Sequence, residues 1–248
     1  ANNVVFKYHD EIANLPGSTK ARKMLVTDAL KYLDNLAKNS GDNLELQKEL
    51  ARAYLKMGDV QGKMYAANIG DTKGATESYK KAVDQMENAV ENHPNDIGSK
   101  EILVKAYDNY AFLSLRIGGN EKLTKEFVQK AIDLHRTVIK NEPNNDERKI
   151  QLIELLVRLG DVDTGNQAER KKTNGEQNFE IRLNHHLKAL PLAENLYKSD
   201  KNNFENVRIL AQVYQRIGTD YYNIGDQSER FGKLGQSKNA FQKALEFH

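Results

Sequence analysis

The feature that most constrains this chain is an interval that recurs. From Ala82 to Pro94, from Ala131 to Pro143 and from Ala189 to Lys201 the separation is the same, 12 residues, and each interval is followed by a turn pair, Asn95-Asp96, Asn144-Asn145 or Asn202-Asn203. A small residue at a fixed distance from a turn suits stacked helix pairs, because close helix approach needs a small side chain at the crossing. The Asn and Asp residues supply side-chain oxygens for the orphan amides of the next helix. The small residues sit in the stretches SYKKAVDQM, FVQKAIDLH and HLKALPLAE, and a fourth centre, Ala244, lies in FQKALEF.

Ahead of these centres run four related segments: Leu50-Ala51-Arg52-Ala53-Tyr54 to Gly58, Leu103-Val104-Lys105-Ala106-Tyr107, Leu152-Ile153-Glu154-Leu155-Leu156 to Gly160, and Leu210-Ala211-Gln212-Val213-Tyr214 to Gly218. Their apolar residues recur one and two turns apart, as a buried helix face requires. The Gly residues read as helix C-terminal signals. This pattern resembles the tetratricopeptide repeat. The resemblance implies an all-α, right-handed superhelical solenoid of antiparallel helix pairs. The ordinary repeat has about 34 residues, whereas Ala51, Val104, Ile153 and Ala211 step by 53, 49 and 58. The extra length predicts elongated second helices and loop inserts at Asp59–Gly74, Asp161–Gln177 and Gly225–Gly235. Pro191 predicts a local kink in its second helix.

The expected organisation is one repeat domain over 1–248, with capping helices in 1–40 and helix-pair repeats at 41–94, 95–143, 144–201 and 202–248. A short helix is expected over Val4–Ala13, with Ser18 or Thr19 capping the next. The chain starts without Met or a signal-peptide pattern and reads as a segment of a longer protein. With 37 basic and 35 acidic residues the net charge is +2, which gives no general attraction to nucleic acid. No apolar run nears the roughly 20 residues that span a bilayer, so direct membrane insertion is not expected. Cys is absent, which excludes disulfides and thiol catalysis.

A second resemblance covers the first third of the chain. It is carried by His9-Asp10, Leu15-Pro16-Gly17-Ser18-Thr19, Ala21-Arg22, Ala29-Leu30, Tyr32-Leu33-Asp34, Gly58-Asp59-Val60-Gln61-Gly62 and Asn68-Ile69-Gly70-Asp71. These stretches resemble the repeat region behind the catalytic domain of bacterial eukaryotic-like serine/threonine protein kinases. The resemblance implies a C-terminal recognition or regulatory module of a signalling protein, whose parent is often membrane-anchored.

No catalytic residues, cofactor or metal are expected. LHRTVIKNEPN (134–144) echoes a kinase catalytic loop, but Thr137 stands where the base Asp must be. His185-His186 reads as a helical surface pair, since adjacent residues point about 100° apart. Asp161-Val162-Asp163-Thr164-Gly165 opens like a calcium loop, yet Lys172 falls where the closing Glu is required. His9-Asp10 lacks companion ligands. Tyr54, Tyr107 and Tyr214 share one repeat position and read as inter-helix packing.

The remaining candidate is the inner surface lined by first helices. The repeat register projects three rows onto it: Lys48, Glu101, Ile150, Arg208; Arg52, Lys105, Glu154, Gln212; and Lys56, Asn109, Arg158, Arg216. The expected partner is a protein or peptide carrying acidic residues. The alternative is self-association, with the module dimerising its parent.

Overall fold

The computed structural model describes residues 17–63, 68–117, 121–162 and 175–230, with residues 239 and 242. The expected helix at Val4–Ala13, the His9-Asp10 pair, the stretch 163–172 and most of FQKALEF lie outside these residues. All regular structure among the described residues is helical. The helices are α1 (Thr19–Lys38), α2 (Leu44–Gly62), α3 (Thr72–Asn92), α4 (Ile97–Arg116), α5 (Glu121–Asn141), α6 (Asp146–Val162), α7 (Gly175–Ser199) and α8 (Phe204–Arg230). The chain groups into two compact units that divide between Gly119 and Asn120, inside the pair expected over 95–143.

In the first unit each helix packs on its neighbour in sequence, and α2 also touches α4. The second unit repeats this with α5 to α8, where α6 touches α8. These are antiparallel helix pairs of tetratricopeptide type. The second helices are long, at 21 residues in α3, 21 in α5 and 25 in α7. Ala82, Ala131 and Ala189 are fully buried at the crossings, where a larger side chain would hold the helices apart. Around them Tyr54, Met57 and Met86 fill the first unit, and Ile132, Ile153, Leu196 and Ile217 fill the second.

The turns act as their composition predicts. Asp96 Oδ2 accepts from Ser99 N, Asn145 Oδ1 from Arg148 N, and Asn203 Oδ1 from Glu205 N and Asn206 N. Asn43 caps α2 in the same way, through Leu46 N. Ser18 holds the N-cap position of α1 but makes no side-chain capping bond.

Two local expectations are corrected. Gly58, Gly160 and Gly218 do not end helices. α2 continues to Gly62, α6 to Val162 and α8 to Arg230. The inserts are accordingly shorter: 63–71 separates α2 from α3, and Gly225 is a buried helical residue. Burial of Val60 and Val162 outweighs the weak helix propensity of the Gly and Asp beside them. Pro191 lies inside α7, as its place in a second helix implies.

One contact recurs across the repeats. Tyr54 OH donates to Asp34 Oδ1 at 2.8 Å, Tyr107 OH to Glu87 Oε1 at 2.7 Å, and Tyr214 OH to Glu194 Oε1 at 3.2 Å. In each case the acid lies 20 residues earlier, on the preceding second helix. Lys81 adds a second tie, with Nζ 2.6 Å from Asp34 Oδ1. A fourth phenol, Tyr79, donates to Asp59 Oδ1 at 2.8 Å. Burial first, and then the neighbouring carboxylate, pushes the Tyr54, Tyr79 and Tyr107 phenols above their ordinary range. The fold therefore favours the neutral phenols. Stability from this source is intact below the free phenol value of about 10 and is lost as pH rises toward the folded values. Urea midpoints measured between about pH 9 and 11.5 should fall steeply above about 10. Tyr79→Phe should make that fall shallower by one proton's worth, and an unchanged slope would refute the assignment.

Candidate protein-interaction surface

Within each unit two first helices lie side by side, and the projected rows fall on them. In the first unit these are Lys48, Arg52 and Lys56 of α2 with Glu101, Lys105 and Asn109 of α4. In the second they are Ile150, Glu154 and Arg158 of α6 with Arg208, Gln212 and Arg216 of α8.

Lys48 departs most from its expected role. Its side chain is 11% exposed, with Nζ 2.6 Å from Glu45 Oε1 and 3.6 Å from Asp96 Oδ1. The bond from Glu45 holds its pKa above the ordinary lysine value against the opposing effect of burial, with Asp96 adding to it. Asp96 is the cap of α4, so Lys48 joins the start of α4 to α2 and is not a surface cation. Arg52 and Lys105 are exposed, and Arg52 Nη1 lies 2.7 Å from Glu49 Oε1. Lys56 and Asn109 are half-buried.

In the second unit the face carries both signs. Arg208 Nη2 donates to Glu154 Oε1 at 3.0 Å, its Nε to Glu205 Oε2 at 2.7 Å, and its Nη1 to Gln212 Oε1 at 3.2 Å. The Glu205 bond, aided by Glu154, raises its pKa further above the ordinary value. Arg216 Nη2 lies 3.1 Å from Asp161 Oδ2. Arg158 and Ile150 are half-buried. In this unit the α8 guanidiniums of Arg208 and Arg216 thus face the α6 carboxylates of Glu154 and Asp161. The register placed the residues on the face but could not show their pairing.

Behind this face lies a network that the sequence reading missed. His186 is fully buried and is not a surface residue. Its Nδ1 is 2.5 Å from Asp220 Oδ2 and its Nε2 is 3.1 Å from Val157 O. Arg182 Nε faces the other oxygen of Asp220, which is also fully buried. Arg182 Nη2 is 3.8 Å from Asp161, so the network leads outward to Arg216. A repeat signal did mark this position. His186 stands three residues before Ala189, as Tyr79 stands before Ala82, and each ring lies against the Gly of a Gly-Asp pair, Gly160-Asp161 or Gly58-Asp59. The kinase-like stretch has a packing role: His135 is buried, and its Nε2 meets Arg148 O at 2.7 Å.

No described helix is long and apolar enough to cross a membrane. The arrangement defines a class, the helical-repeat proteins built from antiparallel pairs. No family model and no curated protein matches the chain. Among solved structures it is similar to BtubC (BKLC) from P. vanneervenii, at 14% identity and TM-score 0.42, covering 90% of this chain and 89% of that one. It is also similar to MamA, at 20% identity and TM-score 0.37 with 94% of each chain covered. A third is a DHF58 filament, at 18% identity and TM-score 0.35 with 93% of each covered.

Proposed function

We propose that this chain is a protein- or peptide-binding module that works by holding a partner along its first helices and catalyses no reaction. The observation that supports the reading most directly is the pairing of α2 with α4, and of α6 with α8, as neighbours that present polar side chains turn after turn. An elongated partner segment can meet successive residues of one such face, and the long Lys and Arg stems can pack against it while their heads find carboxylates. The kinase-like stretches in the first third extend the proposal to a parent, a bacterial signalling protein such as a serine/threonine kinase, with this module as its C-terminal part.

The test uses neutral replacements, because reversing Arg216 would set a carboxylate against Asp161. A partner captured by pull-down should bind the Arg52→Gln/Lys56→Gln/Lys105→Gln variant of the first unit, or the Arg158→Gln/Arg216→Gln variant of the second, at least several-fold more weakly. Each exposed pair contributes only about 0.2–1 kcal/mol, so several must act together. The weakened variant's affinity should also depend less on salt. Unchanged affinity and salt dependence in both variants, with helicity retained, would move the binding site off the first helices.

A further inference from the structure

We infer that the α6–α8 face is a self-masked receptor for a helix bearing two carboxylates seven residues apart, with Glu154 and Asp161 holding the places that the ligand's acids take. The inference rests on the binding role proposed above and names the chemistry of the partner.

Two pairs carry it. Arg208 to Glu154 and Arg216 to Asp161 both run from α8 to α6, at 3.0 and 3.1 Å. Neither is sealed, since the four side chains are each 31–40% exposed. Pairs this open hold only weakly, so a ligand carboxylate can exchange with the internal one at little cost. Lys48 shows the contrast. Its own side chain is only 11% exposed where it meets Asp96, so less of it is open to a ligand.

The spacing sets the ligand's geometry. Glu154 and Asp161 are seven residues apart on α6, which is about 10.5 Å along a helix. Arg208 and Arg216 are eight apart on α8, about 12 Å. A helix laid along the face with Glu or Asp at i and i+7 brings one carboxylate to each guanidinium. Acids at i and i+4 span about 6 Å and satisfy only one. Arg208 keeps Glu205 and Gln212 on its Nε and Nη1, so only the Nη2 position held by Glu154 is exchanged.

A merely structural pair and a masking pair differ in sign. The probe is a synthetic, helix-stabilised, Ala-based peptide with Glu at i and i+7, and its control carries Glu at i and i+4. Both are titrated against the full chain and followed by fluorescence anisotropy at low salt. The i,i+7 peptide should bind several-fold more tightly than the control. Glu154→Gln, which unmasks Arg208, should tighten binding about threefold or more, and Asp161→Asn should act in the same direction. Arg208→Gln should weaken it by a similar factor. Equal affinity for the two peptides, or loss of affinity in Glu154→Gln, would overturn the inference. If Asp161→Asn disturbs the buried network, the Glu154→Gln result decides. A natural partner that still binds through Arg52, Lys56 and Lys105 of the first unit, or through Arg158 and Arg216 of the second, would leave the broader function standing while this inference fell.

Discussion

Asp220→Ala should destabilise the second unit by about 3–5 kcal/mol, the range for removing one member of a buried ion pair. Asp220 is fully buried, and it faces two groups at once, His186 Nδ1 and Arg182 Nε. Alanine leaves Arg182, only 11% exposed, with Asp161 at 3.8 Å as its nearest carboxylate among the described residues. His186 would keep its bond to Val157 O and its 3.8 Å approach to Asp161. The outer pair Arg208–Glu154 provides the contrast, because at 37% and 40% exposure its loss should cost no more than about 1 kcal/mol. Urea denaturation of both variants separates the two regimes. Apolar replacement of the whole triad, Asp220→Leu with His186→Leu and Arg182→Met, should recover much of the loss, since it removes the stranded polar groups along with their partner. A loss below about 1 kcal/mol in Asp220→Ala would mean that solvent reaches the network.

Legibility in the sequence followed the range of each interaction. Helix pairing, the Ala centres and the Asn/Asp caps are local in the chain or periodic along it, so spacing alone exposes them. The tyrosine contacts were legible too, though only by combining two registers. Asp34, Glu87 and Glu194 each stand five residues after a small residue, Ala29, Ala82 and Ala189. Where Leu156 replaces the tyrosine, the corresponding residue after Ala131 is Arg136, so phenol and carboxylate are lost together. Charge pairing across helices was not legible. Lys48, Arg208 and Arg216 read as open cations until Asp96, Glu154 and Asp161 are seen beside them, and those distances depend on how adjacent helices pack. The Gly residues misled for a different reason. Gly is favoured both at helix ends and where another element comes close, and only the neighbouring ring shows which applies.

That ambiguity makes one substitution informative at different sites. Gly160→Ala should cost about 2–4 kcal/mol, although alanine in a helix interior is intrinsically favoured over glycine by about 1 kcal/mol. A Cβ at this position would lie 2.4 Å from His186 Nε2 and 2.7 Å from Cδ2. The ring cannot swing aside cheaply, because Asp220 holds its Nδ1 and Val157 O its Nε2. Relief requires α6 and α7 to separate or the buried bonds to break. Overpacking of this kind typically costs about 1–3 kcal/mol, and loosening buried polar groups adds about 1–3 more. Together these exceed the gain in helix propensity. Gly58→Ala should behave alike, with Cβ 2.4 Å from the Tyr79 ring, whose hydroxyl is tied to Asp59. Gly98→Ala should go the other way. Its Cβ would find Asp96 Oδ2 and Lys48 Nζ at 3.5 Å, an ordinary contact distance, so the propensity gain stands and stability should rise by up to about 1 kcal/mol. Urea denaturation of the three variants under one set of conditions checks the signs. Loss at Gly98, or a stable Gly160→Ala, would show that close approach of the second helix is not what keeps glycine at these positions.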